Sequence, residues 1–186
     1  MTSELINVED KNYAISKIKK SYNEIYINID DEIEEQKKNR DIFITIDQAE
    51  QDDIIYVILN TIGGRLSTMN QIVNHLLDTK AKTKAIIHEA SSAGTGIALA
   101  CDEIEVKKFG YVMFHNASGG ACGKIHEIES RVDFIKGWTK EIFTSLYRGF
   151  LTDVELKQMF DGKDFYFNKD EIERRLVNWV PIRKRG

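Results

Sequence analysis

The chain has 186 residues, 42% of them hydrophobic, and its 26 basic and 30 acidic side chains are interspersed for a net charge of −4. That is enough apolar material for one domain with its own core, and the balanced charge announces no basic face, which argues against nucleic acid as a partner. No stretch approaches the roughly 18 apolar residues of a membrane span, and residues 1–20 alternate charged and apolar side chains without the apolar segment of a signal peptide. The two cysteines, Cys101 and Cys122, form neither a disulfide framework nor a paired metal motif. A reducing cytoplasm is therefore the expected location. Linkers, repeats and low-complexity segments are not evident, so an N-terminal arm (1–23) followed by one domain (24–186) is the expected organisation.

Residues 12–20 read as a short helix or an ordered arm. Glu24–Ile29 alternates and is rich in β-branched residues, the pattern of a strand. Glu32–Asn39 is helix-like. Ile42-Phe43-Ile44-Thr45-Ile46 has strand propensity, yet Ile42, Phe43, Ile46 and Ala49 also share one helix face, so this segment reads either way. Ile54–Leu59 is a continuous apolar run, as in a parallel strand covered on both faces. Leu66, Met69, Ile72, Val73, Leu76 and Leu77 form the stripe of an amphipathic helix. Lys84–Ile87 is a short core strand, and Thr95–Ala100 is a helix of small residues able to lie close to a sheet.

Glu103–Val106 and Tyr111–Phe114 read as two strands joined by a turn containing Gly110. Gly119–Gly123 is a loop or extended arm. Ile125–Phe150 is a long helix with Ile128, Val132, Ile135, Ile142 and Leu146 as its core side. Thr152-x-x-Glu155 and Asn168-x-x-Glu171 are capping boxes that open two later helices, and Val177–Ile182 reads as a closing strand. The alternation of strands and helices predicts an α/β fold.

The chemistry-bearing residues gather at predicted strand ends. Ile54–Leu59 leads into Asn60-Thr61-Ile62-Gly63-Gly64, a second strand leads into Ala90-Ser91-Ser92-Ala93-Gly94, and Val112-Met113-Phe114 ends at His115. Serine, histidine and unpaired backbone N–H groups at neighbouring strand ends are the parts of an acyl-transfer site. The serine needs a base, and His115 is the candidate. The first N–H groups of a helix lack intrahelical partners, so Ala93 is one oxyanion donor. Gly63 or Gly64, where no Cβ blocks a substrate, is the other.

The plainer reading is that Ser91 and Ser92 cap a helix over small residues, and that His115 is a structural histidine. His75 reads as surface or packing, His88 as a strand-end residue near the site, and His126 as exposed. Gly119-Gly120-Ala121-Cys122-Gly123-Lys124-Ile125 imitates a phosphate loop. It has three residues rather than four between its glycines, and Ile125 stands where Ser or Thr would meet magnesium. Cys122, His126 and His115 make a poor metal set without a fourth ligand, so neither metal nor cofactor is expected.

These motifs, in this order, resemble the proteolytic subunit of the Clp protease, the ClpP family. There the text runs strand, Asn-Ser-Pro-Gly-Gly, then Ala-Ser-Met-Gly, then Met-Ile-His-Gln-Pro-Leu-Gly-Gly; here the last piece is Met113-Phe114-His115-Asn116-Ala117-Ser118-Gly119-Gly120. The resemblance spans about residues 24–180. It implies the ClpP/crotonase-like superfold of repeated β-β-α units, with a protruding handle at about 119–150. It selects the helix for the segment around Ile42 and, through Ser-x-Gly, selects Ser92 over Ser91. The implied activity is serine endopeptidase cleavage of unfolded proteins or peptides through an acyl-enzyme. Ser92 attacks, His115 shuttles the proton and Asp161 orients His115, with Asp164 as the rival for that third role. A homo-oligomer of sevenfold rings and an AAA+ unfoldase ATPase partner are also implied.

Three departures stand out. Ile62 replaces the family's proline, Ala93 its methionine, and the N-terminal arm does not match the usual gating hairpin, which weakens the expected ATPase partnership. The isoleucine- and lysine-rich divergence fits a viral or plasmid-borne relative. The competing readings are a catalytically inactive ring subunit and a crotonase-fold acyl-CoA enzyme, which needs two N–H donors but neither Ser92 nor His115.

Overall fold

The computed structural model describes residues 22–185 together with two short strands, β1 (Ser3–Ile6) and β2 (Ile15–Ile18). These two pair antiparallel, Ser3 opposite Ile18. Within the predicted segment 12–20, residues 15–18 are thus strand rather than helix, and the remainder lies outside the described residues.

The main sheet has the order β3 (Glu24–Ile33), β4 (Ile54–Gly64), β5 (Lys82–Ser91), β6 (Glu103–Phe114) and β7 (Phe165–Asn168). Strands β3 to β6 run parallel and β7 is antiparallel to β6. The parallel crossovers are α1 (Arg40–Gln48), α2 (Leu66–Asp78) and α3 (Ala93–Ala100). The ambiguous segment around Ile42 is helix α1, because burial of Phe43 and Ile46 on one face outweighs the strand propensity of its β-branched residues. The preceding stretch corrects the sequence reading. Glu32 and Ile33 finish β3, with the Ile33 carbonyl accepting from Arg65 N–H at 2.8 Å, and only Gln36–Asn39 forms a turn of 3₁₀ helix.

Strand β4 also differs from expectation. Ile55, Val57 and Leu59 are fully buried under the helices, but Tyr56 and Ile58 are only half-covered. On that second face Tyr56 stacks on exposed Tyr26, with ring centroids 4.8 Å apart. The predicted pair of strands around Gly110 is a single strand, β6. Its pairing with β5 jumps from Ile87 opposite Val106 to Glu89 opposite Tyr111, leaving Lys107–Gly110 outside the ladder instead of in a turn. Gly110 is needed there because a Cβ would lie 2.6 Å from the Ile87 carbonyl oxygen.

Helix α3 is buried along its whole length. Its small residues allow this approach: a Cβ on Gly94 would lie 2.6 Å from Thr61 Cγ2, and one on Gly96 2.5 Å from Met69 Sδ. The thiol of Cys101, just beyond it, is pushed up to about 12 by burial, which keeps it protonated and inert.

Helix α4 (Ile125–Tyr147) is the predicted long helix, but only its C-terminal part joins the core. Thr139, Phe143, Leu146 and Tyr147 are buried, whereas Ile125 is 76% and Phe134 68% exposed. Of the predicted core side, Ile135 is exposed and Ile128 and Val132 are half-buried, because the helix's outer half extends past the sheet. Phe114 packs edge-on to Tyr147 at 5.0 Å and stacks near Phe150 at 5.4 Å, tying the end of β6 to the end of α4.

Helices α5 (Asp153–Phe160) and α6 (Lys169–Leu176) open on their predicted caps, Thr152 and Asn168. The expected last strand is absent. Residues 177–181 follow turns from Asn178 and Trp179 N–H to the Arg175 and Leu176 carbonyls, and Ile182–Lys184 is a 3₁₀ turn. Arg183 anchors that end, donating to Asp102 Oδ2 at 2.8 Å and to the Ala81 carbonyl at 3.0 Å.

Arg175 joins α6 to α5 through two hydrogen bonds to the Glu155 carboxylate, at 2.7 and 2.9 Å, and lies 4.0 Å over the Phe167 ring. The guanidinium, with help from Thr152, lowers the Glu155 carboxyl from 4.5 to about 2. Because the folded state holds this proton less tightly than the unfolded chain, the stabilisation is complete above pH 4.5 and fades as pH falls through about 2. Glu155→Gln is expected to cost about 2 kcal/mol at neutral pH. Urea unfolding of both proteins along a pH series should show the gap closing toward pH 2.

Candidate active site

Three neighbouring strand ends converge at the carboxyl edge of the parallel sheet, where ligands bind in open α/β sheets. The β5–β6 ladder runs to Ser91 opposite Met113, and one residue later Ser92 N–H donates to the Met113 carbonyl at 2.9 Å. Ser92 then turns sharply into α3 with φ 54° and ψ −116°. A non-glycine residue in that conformation is strained, and such strain concentrates at functional positions. Thr95, one turn into α3, reinforces the junction. Its hydroxyl lies 2.7 Å from the Ala90 carbonyl oxygen and 2.8 Å from that of Met113.

The plain capping reading of the serine pair does not hold. Ser92 occupies the N-cap position of α3, yet its side chain makes no capping hydrogen bond. Its Oγ instead lies 2.6 Å from His115 Nε2. Ser91, the rival, points elsewhere: it is buried and donates to Glu89 Oε1 at 3.2 Å. Glu89 also hydrogen-bonds the Tyr111 hydroxyl and thereby raises its pKa.

The two glycines have different tasks. Gly63, at φ 96°, lies against the serine turn: a Cβ there would lie 2.7 Å from both Ser92 Cβ and the Ser91 carbonyl oxygen, and 3.1 Å from Ala93 N. Its N–H already donates to Thr61 Oγ1 at 3.1 Å. Gly63 is thus required for space beside the serine turn. Gly64 lies beyond the last β4–β5 pair, Thr61 opposite Ala90, and lines the groove described below. Ala93 N–H stands free of any intrahelical acceptor at the first position of α3.

A groove of about 770 Å³ runs across these groups. Ser92, Ala93, His115 and Gly64 line its centre, residues 117–121 form one bank, and Lys136, Trp138 and Phe143 of α4 stand along the far wall. The segment between His115 and α4 has no regular secondary structure, which agrees with the predicted loop or arm.

The third expected member is not brought in. Among the described residues, the His115 side chain has a hydrogen bond to Ser92 and no carboxylate within 4 Å. Asp161 ends α5, its N–H donating to the Lys157 carbonyl, with its side chain exposed. Asp164 is exposed as well, but its backbone place differs. The antiparallel β6–β7 ladder ends at Phe114 opposite Phe165, the residues next to His115 and Asp164 in the chain. Asn116 Nδ2, next to His115, donates to the Phe160 carbonyl at 3.1 Å and holds the two segments together.

The remaining histidines stay outside the site. His75 hydrogen-bonds Asp47 at 2.5 Å and stacks on Phe43, while His88 and His126 are exposed. Among the described residues no group of three or more His, Cys, Asp or Glu is arranged to hold a metal, and no helix is long and apolar enough to cross a membrane. Sequence reasoning missed Thr95, whose hydroxyl in an otherwise apolar helix was the available signal. It also missed the α4 wall of the groove, which becomes visible only when the helix is set beside the strand ends.

Comparison with known protein families gives a match to the family described as Clp protease, over residues 9–172, a span that contains the serine turn, His115, the groove and both candidate aspartates. The chain belongs to the Clp protease family, and its fold and peptidase character follow from that membership.

Proposed function

We propose that the protein is a serine endopeptidase that cleaves peptide bonds of unfolded proteins or peptides through an acyl-enzyme. The observation that carries this reading is the 2.6 Å separation of Ser92 Oγ and His115 Nε2 at the strained turn. His115 Nε2 takes the Ser92 proton as Oγ attacks the carbonyl carbon, then gives that proton to the leaving amine. Water, activated by the same nitrogen, releases the acyl group. Gly64 and Ala93 N–H groups receive the oxyanion, each such donor contributing about 3 kcal/mol at the transition state. A groove with free backbone groups along a strand end suits an extended substrate bound by strand addition, which reads main chain more than side chain.

For the orienting carboxylate, the β6–β7 register supports Asp164 over Asp161. Directly opposed residues have Cβ atoms about 5 Å apart, so a rotation of the Asp164 side chain reaches His115. Asp161 lies three residues farther along. Family membership further supports assembly into sevenfold rings, with an AAA+ unfoldase as the partner that delivers protein. A second reading, a ring subunit without activity, is favoured by the carboxylate-free environment of His115. An acyl-CoA enzyme would have no use for the Ser92–His115 pair.

Fluorophosphonate labelling followed by peptide mass spectrometry tests the central claim. Labelling confined to Ser92, and lost in Ser92→Ala and His115→Ala, is the expected result; an unlabelled wild-type oligomer would favour the inactive subunit. Asp164→Asn is expected to lower kcat by at least about a hundredfold through loss of the imidazole's orientation, with Asp161→Asn within about twofold of wild type. The reverse ranking would restore Asp161. Gly63→Ala should push the Ser92 turn out of line and slow labelling about a hundredfold, while the far-ultraviolet circular dichroism spectrum stays that of the wild type.

A further inference from the structure

The far wall of the groove carries a charge that the peptidase reading leaves unused. Lys136 lies on the stretch of α4 that faces the groove, one turn from Val132 and two turns from Phe143, both of which also line it. Ile135 and Trp138 complete an apolar surface around it. Among the described residues, no carboxylate lies within 4 Å of the Lys136 ammonium and no hydrogen bond satisfies it. The two other charged groups of the groove, Glu32 in β3 and Arg65 at the start of α2, come from other elements, and Arg65 already has Glu35 at 3.6 Å. An apolar wall that holds a lone cation lacks an acceptor, and a carboxylate supplies one.

We infer that Lys136 is a specificity-determining residue that favours peptide substrates with a glutamate or aspartate side chain directed at the α4 wall. The inference rests on the peptidase reading and deepens it. The apolar neighbours pack against the methylenes of a glutamate, the ammonium pairs with its carboxylate, and a lysine at the same substrate position meets like charge. An exposed pair contributes at most about 1 kcal/mol, or about fivefold in kcat/KM.

The test uses quenched fluorescent peptides with Glu, Gln or Lys placed in turn at each position flanking the cleaved bond. At one position, wild type is expected to prefer Glu over Lys about fivefold. The preference should be kept by Lys136→Arg, removed by Lys136→Met and inverted by Lys136→Glu. It should also shrink in 1 M salt, where the screening length is about 3 Å. A Glu-to-Lys ratio that is the same in wild type and Lys136→Glu at every position would overturn the inference and leave the peptidase reading intact. Failure to cleave any peptide, together with an unlabelled Ser92, would overturn both.

Discussion

The Met113 carbonyl is the fixed point of the molecule. It accepts the Ser92 N–H at 2.9 Å, and the Thr95 hydroxyl lies 2.8 Å away. It therefore joins three things: the last residues of β5, the first turn of α3, and a strand that carries His115 two residues later. A serine held at φ 54° does not keep that conformation unless its surroundings enforce it. Here the enforcement comes from the parallel ladder on one side and a fully buried helix on the other. The Ser92–His115 distance follows from backbone hydrogen bonds rather than from side-chain choice.

Space around this point is set by the absence of side chains. Gly63 lets β4 pass beside the serine turn, Gly94 lets α3 sit on Thr61, and Gly96 lets it meet Met69. Thr61 links these constraints to β3: its hydroxyl donates to the Asp31 carbonyl and accepts from Gly63 N–H. That orders the glycine pair through β3, while Ile62, between Thr61 and Gly63, has its side chain 64% exposed.

Much of this was legible in the sequence, and the reasons for the rest are physical. Helix α2, the strand through Ile54–Leu59 and the two helix caps could be read because periodicity and capping are local signals. Ser92 and His115 could be read as motif residues. The segment around Ile42 carried two valid local signals, and burial of Phe43 and Ile46 decided between them. The Gly110 region looked like a turn because a glycine between two β-branched runs usually marks one; the structure uses that glycine for close passage by the Ile87 carbonyl. That the Thr61 hydroxyl takes the Gly63 N–H is encoded in no sequence pattern. The aspartates were ambiguous for a similar reason: a loop of uncertain length was counted along the chain, whereas the β6–β7 register counts across the sheet.

Strands and helix make unequal contributions to the site. Ser92 and His115 stand at strand ends locked into the core, with Phe114 beneath His115 clamped among Tyr147, Phe150 and Phe167. The far wall of the groove stands on the part of α4 where burial gives way to exposure: Phe143 is 5% exposed, whereas Phe134 and Ile125 are open to solvent. Exposed apolar side chains of that size on a protruding helix mark a surface that associates, and family membership supplies an oligomer to cover it. What packs on the outer half of α4 then also fixes the rotation of the helix, and with it the position of Lys136 and Trp138 over the groove. The Ser92–His115 geometry is built into the monomer's sheet, while the far wall of the groove stands on a helix whose outer half is left to its neighbours.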